Sequence, residues 1–155
     1  KMVIGIYNDS SRTRDAFDAA RNGLFEIDNT IAALSINQAG KITNARLDQL
    51  QNKIDFTIKG EIRSDIFAIP TSKVDMKESL NILERSQIKK NYFEQVYAYE
   101  NYITGKDLDS VMNMKVKPLD SIRTTSPDVP ELRTSCTITV GDFMKAVELG
   151  FAKIQ

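Results

Sequence analysis

MVIGIYNDSSRTRDAFDAARNGLFEIDNTIAALSI, residues 2–36, is the stretch from which the rest of the chain is read. Counted in alternating steps of three and four, it gives Val3, Ile6, Ser10, Thr13, Phe17, Ala20, Leu24, Ile27, Ile31 and Leu34, all apolar except for two small hydroxyl residues. Positions spaced in this way lie on one face of an α-helix, so the pattern predicts one long helix packed lengthwise on others. A competing reading makes MVIGIY a buried first strand with a separate helix from Ser10 or Ser11, because β-branched residues and Gly5 permit it. A partner strand is then available in CTITV, residues 136–140.

Outward from this stretch the same spacing recurs. Asn37 and Gly40 in NQAG stop the first helix. A second helix is predicted from Thr43 or Asn44 through Leu47, Leu50, Ile54, Ile58, Ile62, Ile66 and Ile69, ending at Pro70. A third runs from near Lys73 to Ile103, closed by Gly105, and a short helix follows in DLDSVMNMK. Three of the four prolines gather in the irregular region MKVKPLDSIRTTSPDVPELRTSC. The last helix is announced by Thr139 and Asp142, close to a capping box, and continues through Met144, Val147, Phe151 and Ile154. The expected fold is therefore all-α, an antiparallel four-helix bundle with an interrupted last helix, forming a single domain over residues 1–155.

Composition narrows the chemistry. The 155 residues carry 21 basic and 21 acidic side chains, so no global field favours nucleic acid or an anionic membrane, and no nucleic-acid partner is expected. The chain has no histidine and one cysteine, Cys136, which removes the common metal-ligand sets, the Ser/His and Cys/His nucleophile pairs and any internal disulfide. No glycine-rich phosphate loop is present. The expectation is a non-enzymatic protein with no cofactor and no metal; a small enzyme would need carboxylate or tyrosine chemistry in a pocket.

Candidate contact residues come from positions flanking the apolar stripes. Arg14, Arg21, Asp28 and Ser35 recur every seven residues beside the first stripe, where arginine can hold a carboxylate bidentately or form ordinary salt bridges. Tyr92 and Tyr99 fit core spacing on the third helix, whereas Tyr97 and Tyr102 fall off it and are better placed for a ligand. The predicted ligand-binding set is Arg21, Asp28, Tyr97, Tyr102 and Arg123, with a small organic anion as the favoured ligand and a periplasmic protein as the alternative. Phe17, Leu24, Ile27 and Ile31 are the predicted seam of a homodimer.

KKNYFEQVYAYENYITGKDLDSVMNMKVKPLD resembles the third helix and following turn of the four-helix extracytoplasmic sensor domains of bacterial chemoreceptors, such as the aspartate and serine receptors. The shared features are a Lys-Asn-Tyr opening, a tyrosine before the turn and a glycine near its end; NARLDQLQNKI is similar to the start of their second helix. The resemblance implies a periplasmic or extracellular ligand-sensing domain of an inner-membrane signal transducer, excised from a longer chain whose membrane spans lie outside it, with ligand binding read out as a helix displacement. Those amino-acid receptors grip the ligand carboxylate with closely spaced arginines on the first helix. Here LFEIDNTIAALSI has none, and Arg21 lies earlier. A different class of function, a self-assembling structural subunit of a phage or secretion assembly, would use the same long stripes to bury against neighbouring copies.

Overall fold

The computed structural model describes residues 1–18 and 20–154. Its centre is a three-stranded antiparallel sheet in the order β1-β2-β3, formed by β1 (Met2–Asp9), β2 (Gly23–Ile36) and β3 (Ile42–Phe56). Three short helices follow: α1 (Tyr92–Ile103), α2 (Leu108–Met112) and α3 (Gly141–Phe151). A two-residue ladder joins β4 (Val116–Lys117) to β5 (Ser126–Pro127). This mixed architecture replaces the expected four-helix bundle, and the likeness to chemoreceptor sensor domains, which depended on that bundle, falls with it.

The first stretch is the clearest correction. MVIGIY is a strand, but its partner is the segment expected to be helix: Val3 pairs with Leu34, Gly5 with Ala32 and Asp9 with Asp28. CTITV at 136–140 takes no part in that ladder. Along β2 the buried positions alternate, Leu24, Glu26, Asp28, Thr30, Ala32, Leu34 and Ile36, which is the period of two that a pleated strand imposes. Leu24, Ile27, Ile31 and Leu34 do not share a face: Leu24 and Leu34 are buried on one side of the sheet, and Ile27 and Ile31 lie on the opposite side. The stripe arose because both faces of β2 carry apolar residues, so steps of three and four find one on either side.

NQAG is a hairpin turn between β2 and β3. The Asn37 side-chain oxygen accepts the N–H groups of Ala39 and Lys41, each at 3.0 Å, and Gly40 takes the left-handed conformation at φ 72°. The second predicted helix is instead β3, which ends at Phe56, before the chain turns at Gly60 (φ 79°). Ile58, Ile62, Ile66 and Ile69 are exposed beyond it. The third predicted helix begins only at Tyr92, where Glu94 Oε2 accepts the Asn91 N–H at 2.7 Å and closes the first turn. Residues 77–80 and 83–85 form two short 3₁₀ turns before it. At the last helix no Thr139 cap forms, and Gly141 N donates to Thr125 Oγ1 at 3.1 Å.

One face of the sheet is covered and the other is not. Helix α3 lies on β1 and β2, and α1 lies on β3. Between them sits the apolar core: Ala32 and Leu34 of β2, Ile42 and Leu47 of β3, Val96, Tyr99 and Ile103 of α1, and Phe143, Ala146 and Val147 of α3. The closest approach is at Gly5, where a Cβ would fall 1.7 Å from Ala146 O, so the helix backbone rests directly on the strand backbone. The opposite face presents Met2, Ile4, Ile6 and Phe25 as exposed side chains.

Candidate functional site

The apolar core does not extend along the whole sheet. At residues 26–30 the inward positions of β2 become polar, Glu26, Asp28 and Thr30, all buried, and they are flanked on β3 by Lys53, Gln51 and Gln49 in register. A cavity of about 400 Å³ opens over this belt, walled by Tyr92, Phe143, the 122–125 loop and the first turn of α3. Three carboxylates line it, Asp9, Asp28 and Asp142, together with Arg12, Lys73 and Arg123.

Two adjacent carboxylates on one strand face fare very differently. Glu26, 2% exposed, accepts Gln51 Nε2 at 2.8 Å and sits 3.5 Å from Arg12 Nη1 and 3.7 Å from Lys53 Nζ. Its charge is compensated. Asp28, two residues on and 5% exposed, has an Oδ1 that is fully buried and has no hydrogen-bond partner. Its direct cross-strand neighbour on β1 is Asp9, a like charge where opposite signs would stabilise the pair. A buried carboxylate oxygen without a hydrogen bond is unfavourable, so a site that keeps one has a reason to receive a donor.

The surrounding groups are held by the local chain. Asp9 is tied to Ser11, whose N–H donates to Oδ1 and hydroxyl to Oδ2, both at 2.9 Å, and these bonds hold the Asp9 carboxyl below its ordinary value. Arg12 is positioned by Thr13, whose hydroxyl accepts the Glu26 N–H at 3.1 Å, and by the pairing of Arg14 with Leu24. Lys73 is carried on a segment that runs along the outer edge of β3, with its N–H on Gln49 O at 2.8 Å and its ammonium on Gln49 Oε1. Burial lowers the Lys73 pKa, partly opposed by Asp28. Burial raises the Asp142 carboxyl, and Asp9 and Asp28 push it further in the same direction while Lys145 opposes them. Asp142 is thus the carboxyl of this cavity whose ionisation its surroundings oppose.

Of the residues chosen from sequence, Asp28 and Arg123 come together in this cavity. Arg123 is held from the exposed side by Asp120 Oδ2 at 2.8 Å. Arg21 is exposed in the β1–β2 connection, against Asp18. Tyr97 is exposed on α1, edge-on to Phe93 at 5.9 Å, and Tyr102 stacks on Tyr99 with Lys106 Nζ 4.3 Å above its ring. Of the expected dimer seam, Phe17 is exposed in the first connection, Leu24 is buried and paired with Arg14, and Ile27 and Ile31 are half-buried on the open sheet face. The residues missed were Asp9, Arg12, Lys73 and Asp142. Read as a strand, EIDNT would have signalled the site, since three polar residues at alternate positions in line with Ala32 and Leu34 place polar side chains in an apolar layer.

No group of residues that could hold a metal ion occurs among the described residues, and no helix among them is long and apolar enough to cross a membrane. No protein-family model matches this chain, and no curated protein and no solved structure shows significant similarity to it.

Proposed function

We propose that this domain binds a small ammonium-bearing molecule, as a ligand-sensing rather than catalytic module. The observation that carries the reading is the unpartnered Oδ1 of Asp28, at the floor of a cavity of a size suited to a small ligand. An ammonium group placed on Asp28 would satisfy it and relieve its repulsion with Asp9 and Asp142. Because Asp142 lies in the first turn of α3 and Asp28 on β2, such a ligand would clamp the helix to the sheet, a change through which binding can be transmitted. Of the two arginines expected to hold an organic anion, Arg123 lines the cavity and Arg21 does not.

A thermal-shift screen of primary amines and diamines tests it. A ligand present at about a hundredfold over its Kd should add about 2.7 kcal/mol of stability, and Asp28→Asn should abolish the shift while leaving the domain folded. Absence of any shift across the amines, or an undiminished shift in Asp28→Asn, overturns the reading.

A second reading, a self-assembling subunit, is favoured by the uncovered sheet face. Met2 is 85% and Ile4 53% exposed there, and the edge strand β1 carries no charge between Met2 and Asn8. Lys153 Nζ donates to the Ile4 carbonyl at 2.7 Å, so it is the apolar face of β1 that a second copy would cover in a two-fold arrangement. Light scattering on the purified chain distinguishes the two: a dimer dissociated by Ile4→Lys supports assembly, and a monomer at high concentration excludes it.

A further inference from the structure

We infer that the ligand is dipolar, with its ammonium on Asp28 and an oxyanion, carboxylate or phosphate, in an adjoining basic groove. The inference rests on the ammonium-binding reading above and concerns the part of the site beyond Asp28.

A second cavity of about 700 Å³ continues from the first and shares Arg12, Lys73, Tyr92 and Arg123 with it. Its additional charged lining is Lys53 and Arg85, and no carboxylate lines it among the described residues. Arg85, exposed on the 3₁₀ turn at 83–85, donates to the Asn81 carbonyl at 3.3 Å and has no carboxylate partner among the described residues. The side chains of Gln51, Gln87 and Gln95 also line it, with the Gln51 amide donating to Glu26 and the Gln95 amide to Ser86 and the Lys90 carbonyl. The carboxylates of the continuous trough therefore all lie at one end, beside Arg12, Lys73 and Arg123, while the other end is lined by cations only, an asymmetry that neither a diamine nor a dianion would match at both ends.

Register sets the length of the ligand. Glu26 faces Lys53 and Asp28 faces Gln51 across the β2–β3 ladder. Lys53, a cation that lines only the second cavity, thus lies two residues along the ladder from Gln51 opposite Asp28, a distance of about 7 Å that an extended chain of about four to six carbons spans. Both polar ends are then met by fixed, opposite charges, and arginine supplies a fork suited to either oxyanion.

Calorimetric titration with matched compounds tests this: the ω-amino acids from 4-aminobutanoate to 6-aminohexanoate, diamines and dicarboxylates of the same lengths, and phosphoethanolamine. At least one dipolar compound should bind tenfold or more tightly than its matched diamine and dicarboxylate. Arg85→Ala should remove that advantage, and Arg85→Glu should reverse it in favour of the diamine, with the far-UV spectrum unchanged for both. The carboxylate and phosphate arms identify which oxyanion is preferred. Diamines that bind as tightly as the dipolar compounds to the unaltered protein overturn the dipolar inference and leave ammonium binding standing. If no compound in any arm binds, both proposals fail together.

Discussion

Replacing Gly5 by alanine probes the contact on which the covered side of the sheet depends. The added Cβ would lie 1.7 Å from Ala146 O and 2.5 Å from Gly150 N, against a floor of 3.0 Å that real Cβ atoms observe. Both obstacles are backbone, so no rotamer change relieves them; α3 must retreat by more than an ångström or β1 must leave the sheet. Overpacking a core typically costs about 1–3 kcal/mol, and a gap of 0.5–1 Å already forfeits a quarter to a half of the dispersion attraction across it. Because α3 contributes Phe143, Ala146 and Val147 to the core, the expected loss lies at the top of that range or above it, about 3–4 kcal/mol. For a chain of this size that corresponds to a fall in Tm of roughly 10 °C. Gly150→Ala on the opposing helix is the control. Its Cβ would meet Leu34 Cδ1 at 3.3 Å, the mobile tip of a side chain, and Gly5 N at 3.4 Å, so the small steric cost is offset by up to about 1 kcal/mol of helix propensity. Urea unfolding followed by circular dichroism and tyrosine fluorescence measures both, with an unchanged m-value confirming comparable unfolding transitions. If Gly5→Ala unfolds within about 1 kcal/mol of the unaltered chain, or if Gly150→Ala is the more damaging of the two, the packing of α3 on β1 is not as described.

Asp28→Asn should raise the Tm of the ligand-free domain while abolishing the response to amines, because it removes a carboxylate that faces the like charges of Asp9 and Asp142 and whose Oδ1 has no hydrogen-bond partner; a lower ligand-free Tm would contradict this account. The Asp142 carboxyl is raised above its ordinary 3.8 by burial, so the folded state holds its proton to higher pH than the unfolded state does. The stability that this proton contributes is full below pH 3.8 and is lost as pH rises through the folded value. The stability of Asp142→Asn relative to the unaltered protein should therefore increase across that window and then level off in ligand-free urea titrations; a difference independent of pH would refute it. Burial pushes the Cys136 thiol up to about 12 and leaves it inaccessible, so a disulfide reagent at pH 8 should label it only as fast as the domain opens, accelerating steeply in urea. Rapid labelling of the native protein would place Cys136 elsewhere.

The sequence by itself determined which side chains are available for chemistry. Without histidine and with one cysteine, whatever this protein binds must be met by carboxylates, amides, hydroxyls, lysines and arginines, and those are the groups that line the trough. It also marked chain boundaries at Asn37 and Gly40 and at Gly105, which act through local backbone conformation and need no distant partner, but not at Gly60, where the chain turns after β3. The type of the long elements was decided only by tertiary structure. An apolar residue every three or four positions describes a helix face, but it is equally produced by a strand with apolar side chains on both faces, as in β2, whose Ile27 and Ile31 point away from Leu34. Which of the two forms depends on whether a neighbouring strand takes up the backbone hydrogen bonds, and β1 and β3 are brought there by the first connection and the NQAG turn, contacts that lie 27 residues apart at the pair Gly5–Ala32 and far closer at the hairpin. The site followed the same logic. Asp28 and Arg123 were visible as charged residues, but their meeting with Asp9, Lys73 and Asp142 required a strand pairing, an edge segment and a helix N-terminus to converge. Such convergence is a property of packing in three dimensions, to which the spacing of residues along the chain is blind.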